Sequence, residues 1–211
     1  MAFRSRRTWP EPPFEEIRRR ARILVIDDQE FPYQQLFERD GYNVNKQDDV
    51  VNLSDLEDGS YDLILLDLQG VGRGESNDEG LGVLKHLRAQ RPAQIVVAYS
   101  EANFGLASQP FFQLADAVLQ KSADYIDFKA KVDELLEARF SLGFYIDRIA
   151  EETHLGEKDR AKLSQLATQA IVEGKRSNLV SFLRDHSDAA TLERVLRIVE
   201  VAISVASLWT K

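Results

Sequence analysis

A chain of 211 residues, 44% hydrophobic and 29% charged, has the composition of a soluble globular protein, with room for one large domain or an ordinary one and a smaller companion. It contains no cysteine, which excludes disulfides and thiolate metal sites. The formal charge of −8 lies in the first part: residues 1–140 hold 17 Lys and Arg against 25 Asp and Glu, and residues 141–211 hold 10 of each, so neither part has the basic balance that DNA phosphates demand.

The opening stretch MAFRSRRTWPEPP is basic and lacks the apolar run of a signal peptide, and the most apolar late stretch, VAISVASLW at 201–209, is too short to span a bilayer. Both point to a cytoplasmic protein without a membrane span. Residues 1–20 combine Pro10, Pro12 and Pro13 with the clusters FRSRR and IRRRAR and read as an arm leading into a short helical turn. At Arg22 the pattern changes to RILVIDDQE, an aliphatic run of the kind buried on both faces of a parallel sheet, ending in acid. A helical stretch over 31–39 follows, with Phe31, Leu36 and Phe37 on its inner face, and Asp40 with Gly41 stops it. A short strand at 42–45 and a weak helix near 53–58 lead to YDLILLDLQ, a second fully apolar strand ending in Asp67.

The glycine-rich QGVGRGESNDEG that comes next is a loop. Its GVGRGES segment lacks both the Lys-Ser/Thr ending of a P-loop and the spacing of a dinucleotide site. LGVLKHLRA then places Leu81, Leu84 and Leu87 at helical spacing, QIVVAYS is a third buried strand ending in Ser100, and a helix around 104–114 precedes DAVLQK, which ends in Lys121. A helix over 125–139 completes five alternations of strand and helix, the pattern of a parallel sheet covered on both faces, because each parallel crossover needs a helix to bring the chain back. Beyond Phe140 the segments 143–154, 157–174, 176–186 and 189–208 read as helices. Ser187 or Asp188 caps the last, whose Leu192, Val195, Leu196, Val199, Ile203 and Leu208 call for burial within the domain or against a partner subunit.

Four strand ends thus carry Asp27 with Asp28, Asp67, Ser100 and Lys121, and parallel strands bring those ends to one edge, where open α/β sheets bind ligands. Converging carboxylates persist together when a cation neutralises them. With no cysteine and no clustered histidine the suitable ion is hard and oxygen-loving, and Mg²⁺ is favoured where phosphate is handled. An ammonium and a hydroxyl beside it suit a phosphoryl group in transfer, and the nucleophile can be a carboxylate that becomes an acyl phosphate.

The stretches RILVIDD, YDLILLD, EGLGVLKHLRA, IVVAYS and AVLQK, in this order, resemble the receiver domain of two-component response regulators over residues 21–140. The resemblance implies a flavodoxin-like, doubly wound five-stranded sheet of order 2-1-3-4-5, set between an arm over 1–20 and an all-α domain over 141–211. It implies that Asp67 accepts phosphate from a histidine kinase or a phosphotransfer protein. Asp27, Asp28, Asp67 and the main-chain carbonyl of Gln69 would hold Mg²⁺, Ser100 would bond a phosphoryl oxygen and Lys121 would pair with it. Tyr99 is the alternative to Ser100 if the strand is shifted by one residue. Such a protein is a switch and not an enzyme, with at most self-phosphotransfer and autodephosphorylation. The sequence departs from the family where Met-Pro is usual after the acceptor, where Ser122 replaces a common proline, and at Val118, a position that often holds a switch aromatic.

The helical domain is expected to be an output module for homodimerisation or protein binding. An alternative is a DNA-binding regulator using SNLVSFLRD at 177–185, a poor major-groove reader with its single arginine. Another is a degenerate receiver that signals without phosphorylation. A haloacid-dehalogenase-like phosphatase would want a second Asp where Gln69 stands, and the isolated His86, His154 and His186 read as surface or capping residues.

Overall fold

The strands that carry the acids are those with the least choice of where to go. In the computed structural model, which describes residues 8–101 and 109–209, β1 (Arg22–Ile26), β3 (Leu63–Asp67) and β4 (Ile95–Ser100) are buried almost throughout. Side chains on both faces of these strands are apolar, so only the interior of a sheet covered on both sides accommodates them. β2 (Asn43–Gln47) and β5 (Ala117–Gln120) alternate buried and more exposed positions and form the edges. All pairings are parallel and the order is β2-β1-β3-β4-β5, as the sequence led us to expect.

Helices α1 (Phe14–Arg20), α2 (Gln34–Arg39), α3 (Leu53–Glu57), α4 (Gly80–Gln90), α5 (Gln109–Leu114) and α6 (Tyr125–Arg139) accompany the sheet. The expected helix over 104–114 is described only from residue 109; its first residues lie outside the described ones. The two faces of the sheet differ in chemistry. On one, Leu24, Ile26, Ile64, Leu66, Val96 and Ala98 meet Val83, Leu84 and Leu87 of α4 in an aliphatic core. On the other, Phe31, Phe37, Tyr99 and Phe128 pack ring against ring at centroid separations of 5.5–6.0 Å. Each such buried side chain contributes about 1.5–3 kcal/mol relative to exposure.

Two polar ties hold the sheet at the end away from the acids. Asp62 accepts from the Arg22 backbone N–H at 3.0 Å. Asp116 accepts from the Val96 N–H and from Arg88 Nη2, both at 2.7 Å, while Arg88 also donates to the carbonyls of Leu114 and Gln94.

Pro13–Arg139 form one compact unit, and the residues from Phe140 on, together with the described residues ahead of Pro13, form the other. The second unit is helical: α7 (Leu142–Thr153), α8 (Glu157–Val172), α9 (Arg176–His186) and α10 (Ala189–Ser207). Ser141 caps α7 by accepting from Phe144 N, and Asp188 caps α10 by accepting from Thr191 N at 2.7 Å. Trp9 belongs with these helices, donating from its indole to the Phe140 carbonyl at 2.8 Å and packing on Tyr145. His154 ends α7 in the left-handed region, and His186 stacks on Phe182 with its ring bonded to that residue's carbonyl. Among the described residues no helix is long and apolar enough to cross a membrane.

Candidate functional site

β1 and β3 lie side by side with Ile26 opposite Leu66, so the chain leaves both strands at the same level and delivers Asp27 and Asp67 to one edge. Both acids are buried, Asp27 completely. Carboxylate oxygens of Asp27, Asp28 and Asp67 lie within 4.8 Å of one another, with Asp28 on the exposed side. Lys121, one residue beyond β5, reaches back over the edge. Its ammonium is 2.8 Å from Asp67 Oδ2 and 2.9 Å from either oxygen of Asp27, hydrogen-bonded to Oδ1 and paired in charge with Oδ2. Lys121 N also donates to the Ser100 carbonyl at 2.9 Å, which ties the ends of β4 and β5 together.

The electrostatics follow from burial. Burial raises the Asp67 carboxyl above the usual carboxylate range, and the negative charge of Asp27 adds to this while Lys121 opposes it. Burial alone would weaken the proton on Lys121, but the hydrogen bonds and charges of Asp67 and Asp27 together outweigh it and hold the ammonium firmly charged. One ammonium facing three carboxylates leaves the cluster short of positive charge.

Ser100 and Tyr99 both end β4, and the register distinguishes them. Tyr99 lies opposite Asp67 and Leu119, so its side chain leaves the sheet toward the aromatic face, whereas Ser100 lies opposite Gln120 and alternates to the other side. Ser100 is buried at the strand terminus. Val118 lies on the edge strand β5 and is 39% exposed.

The loop from β3 to α4 is long but closed on itself. Gly70 N and Arg73 Nε donate to the two oxygens of Glu79, at 2.8 and 3.2 Å, and Gly72 N donates to Asp49 Oδ1 at 2.5 Å. Val71 in its middle is fully buried against the aliphatic core. Two glycines let this loop approach the acids. Gly70 has φ +85°, and a Cβ on it would fall 2.3 Å from Asp28 Oδ2; a Cβ on Gly80 would fall 2.1 Å from the Asp67 carbonyl oxygen. Sequence reasoning saw in this stretch only flexible composition. The folding back of Glu79 and the close approach of Gly80 have no local signal in a single sequence.

The donor set fits a hard divalent cation. It is made of three carboxylates, with no sulfur or imidazole. Asp27 Oδ2, wholly buried, is paired in charge with Lys121 at 2.9 Å and receives no further donor among the described residues, which leaves it open to an ion or its water. Asp27 and Asp67 also receive the backbone N–H groups of Gln29 and Gln69, at 2.9 and 3.4 Å, which fix the orientation of each carboxylate.

No family model and no curated protein matches the chain. Solved structures do. NtrX from Brucella abortus matches with a TM-score of 0.50 and 20% identity over 72% of this chain, which spans 34% of that one. Residues 13–139 have the receiver fold. A CheY-like receiver domain protein from Methanospirillum hungatei is 23% identical, with a TM-score of 0.47 over 56% of this chain and 95% of its own. The response regulator TrrA from Thermotoga maritima is 24% identical, with a TM-score of 0.43 over 55% and 98%. The parallel order of the strands places the acids and the lysine at their carboxyl ends, where a doubly wound sheet leaves room for a ligand.

Proposed function

We propose that this protein is a cytoplasmic response regulator of a two-component system, a switch that accepts a phosphoryl group on Asp67 from a histidine kinase or a phosphotransfer protein. The observation that carries this reading is the convergence of Asp27, Asp28 and Asp67 with the Lys121 ammonium at one edge of a receiver-fold sheet. A carboxylate oxygen of Asp67 attacks the phosphorus of the donor phosphohistidine; the new P–O bond forms as the P–N bond breaks, and the electron pair leaves with the imidazole. Mg²⁺, when bound, spreads the negative charge of the phosphoryl oxygens during transfer. Asp27, Asp28, Asp67 and the carbonyl of Gln69 are the groups that would hold it. Lys121 would turn from the carboxylates to the phosphoryl group, and the Ser100 hydroxyl would donate to one of its oxygens.

The helical unit is the output. Its charge is balanced, with 10 basic and 10 acidic residues over 141–211, which suits association with a second copy or another protein better than with nucleic acid. Phosphorylation would bias a two-state receiver and so change what these helices bind.

Intact mass of the full chain after incubation with Mg²⁺ and acetyl phosphate tests the reading, with Asp67→Asn alongside and size-exclusion chromatography as the second readout. A phosphoryl adduct on the parent and none on the variant, with a change of assembly, is the expected result. An unmodified parent that still binds Mg²⁺ would overturn it in favour of a receiver that signals without phosphate.

A further inference from the structure

The peptide unit between Gln69 and Gly70, whose carbonyl would ligate Mg²⁺, is held from several sides. Gln69 N donates to Asp67 Oδ1 at 3.4 Å, and Gly70 N donates to Glu79 Oε2 at 2.8 Å. Gly70 also lies so close to Asp28 that a Cβ on it would meet that carboxylate. Asp67 and Asp28 belong to the acid cluster itself. Glu79 stands outside that cluster and reaches the peptide from nine residues further along the chain.

The local backbone does not favour Glu79 in this place. Its φ of +52° with ψ of −133° is costly for any residue with a Cβ, and such a conformation persists where the surroundings enforce it. The side chain makes no capping hydrogen bond to α4 in return. Instead Oε2 takes the Gly70 N–H and Oε1 takes Arg73 Nε at 3.2 Å, so both oxygens are engaged and the carboxylate is fixed in direction. The Gln69–Gly70 peptide is trans, which sets its C=O opposite its N–H. With the N–H turned to Glu79, the Gln69 carbonyl faces away from that carboxylate. A negative charge accepting from the N–H also moves electron density toward the carbonyl oxygen and makes it a stronger ligand for a hard cation.

We propose that Glu79 is a positioning residue of the Mg²⁺ site, its carboxylate orienting and polarising the Gln69–Gly70 peptide from the N–H side so that the Gln69 carbonyl is presented to the ion. The proposal rests on the Mg²⁺ reading of the acid cluster and is independent of phosphoryl transfer. The coupling is reciprocal. When the carbonyl oxygen is drawn to a cation, the N–H becomes a stronger donor and its bond to Glu79 tightens.

The test titrates the full-length, ¹⁵N-labelled parent and four variants with Mg²⁺, reading affinity by calorimetry, the Gly70 amide by NMR and ion-free stability by urea unfolding. Glu79→Ala should weaken Mg²⁺ binding about tenfold. Glu79→Gln keeps an acceptor without the charge and should weaken it about two- to threefold. Glu75→Gln removes the same charge from an exposed position of the same loop and should stay within about twofold of the parent. Glu79→Gly, which relaxes the backbone, should be more stable than Glu79→Ala and yet bind Mg²⁺ as weakly. The Gly70 amide proton should move downfield on adding Mg²⁺ to the parent and hardly at all in Glu79→Ala. Equal losses in Glu79→Ala and Glu79→Gln would reduce the effect to charge and overturn the proposal. So would a parent Gly70 amide that ignores bound Mg²⁺, an affinity that merely follows stability across the variants, or a parent that binds no Mg²⁺. Failure of the phosphoacceptor reading looks different: the parent would bind Mg²⁺ with the Gly70 shift but take no phosphoryl group from acetyl phosphate, and the role of Glu79 would stand.

Discussion

The two units of this chain handle polar groups in opposite ways. In the helical unit the polar side chains with a structural task lie at helix ends or on surfaces: Ser141 and Asp188 cap α7 and α10, and Arg194 bonds Glu152 at 2.6 Å with both partly exposed. The receiver-fold unit instead buries two carboxylates and a lysine together at one sheet edge. Within that unit the Arg88–Asp116 pair is fully bonded and sits at the opposite end of the strands. Caps and satisfied pairs serve the fold alone. A buried charge cluster short of counter-charge departs from the rules of folding, and such departures mark functional sites.

The sharpest way to test this contrast is to remove one cation from each buried cluster. Lys121→Met leaves Asp27 and Asp67 facing each other without counter-charge and should destabilise the chain by about 3–5 kcal/mol. Mg²⁺ should restore much of that loss, since the carboxylates can then be neutralised from outside. Arg88→Met should cost about 2–3 kcal/mol through the lost pair and the carbonyls left without a donor, and Mg²⁺ should restore none of it. Urea unfolding of both variants with and without Mg²⁺ decides the matter; equal rescue, or none for either, would erase the distinction between a structural and a functional ion pair.

The same contrast governs what could be read from sequence. The sheet was legible because strands such as LILLD and IVVAY are apolar on both faces and admit one environment, and the acids at their ends follow once the strands are parallel. The edge strand was less so: β2 runs over Asn43–Gln47, not 42–45, because an edge can carry Lys46 and Gln47 while still pairing with β1. The inward face of α10 was partly misread. Val195 and Val199 are buried as expected, but the stripe continues through Ile198, Ala202 and Val205, leaving Leu192, Leu196 and Ile203 half-buried and Leu208 54% exposed. A helix apolar on most sides gives no phase to its apolar stripe. What no pattern could show is contact at a distance: the folding back of Glu79 onto Gly70 N and the approach of Gly80 to Asp67 exist only after folding.

Gly80→Ala tests that approach. A methyl group there meets the Asp67 carbonyl oxygen at 2.1 Å, which is backbone against helix start and cannot be relieved by turning a side chain. The variant should lose about 1–3 kcal/mol and, more tellingly, accept phosphate from acetyl phosphate more slowly than the parent. Gly74→Ala, in the same loop with open space around it, should do neither. If both variants phosphorylate at the parent rate, the clasped loop does not set access to Asp67.

The smallest effect is expected where the polar group does only local work. Asp188 caps α10 by accepting from Thr191 N, and that backbone hydrogen bond, followed by the Thr191 side chain, lowers its carboxyl below the ordinary value of 3.8. A group whose value falls on folding stabilises the folded state once the unfolded group is ionised, and loses this as the pH drops through the folded value. Asp188→Ala should therefore lower the melting temperature slightly at neutral pH, with the gap between variant and parent closing below pH 3.8, where both end in an uncharged residue. Because the cap has no part in the acid cluster, the variant should bind Mg²⁺ and accept phosphate on Asp67 as the parent does. A change in either would mean that this cap does more than hold the start of α10.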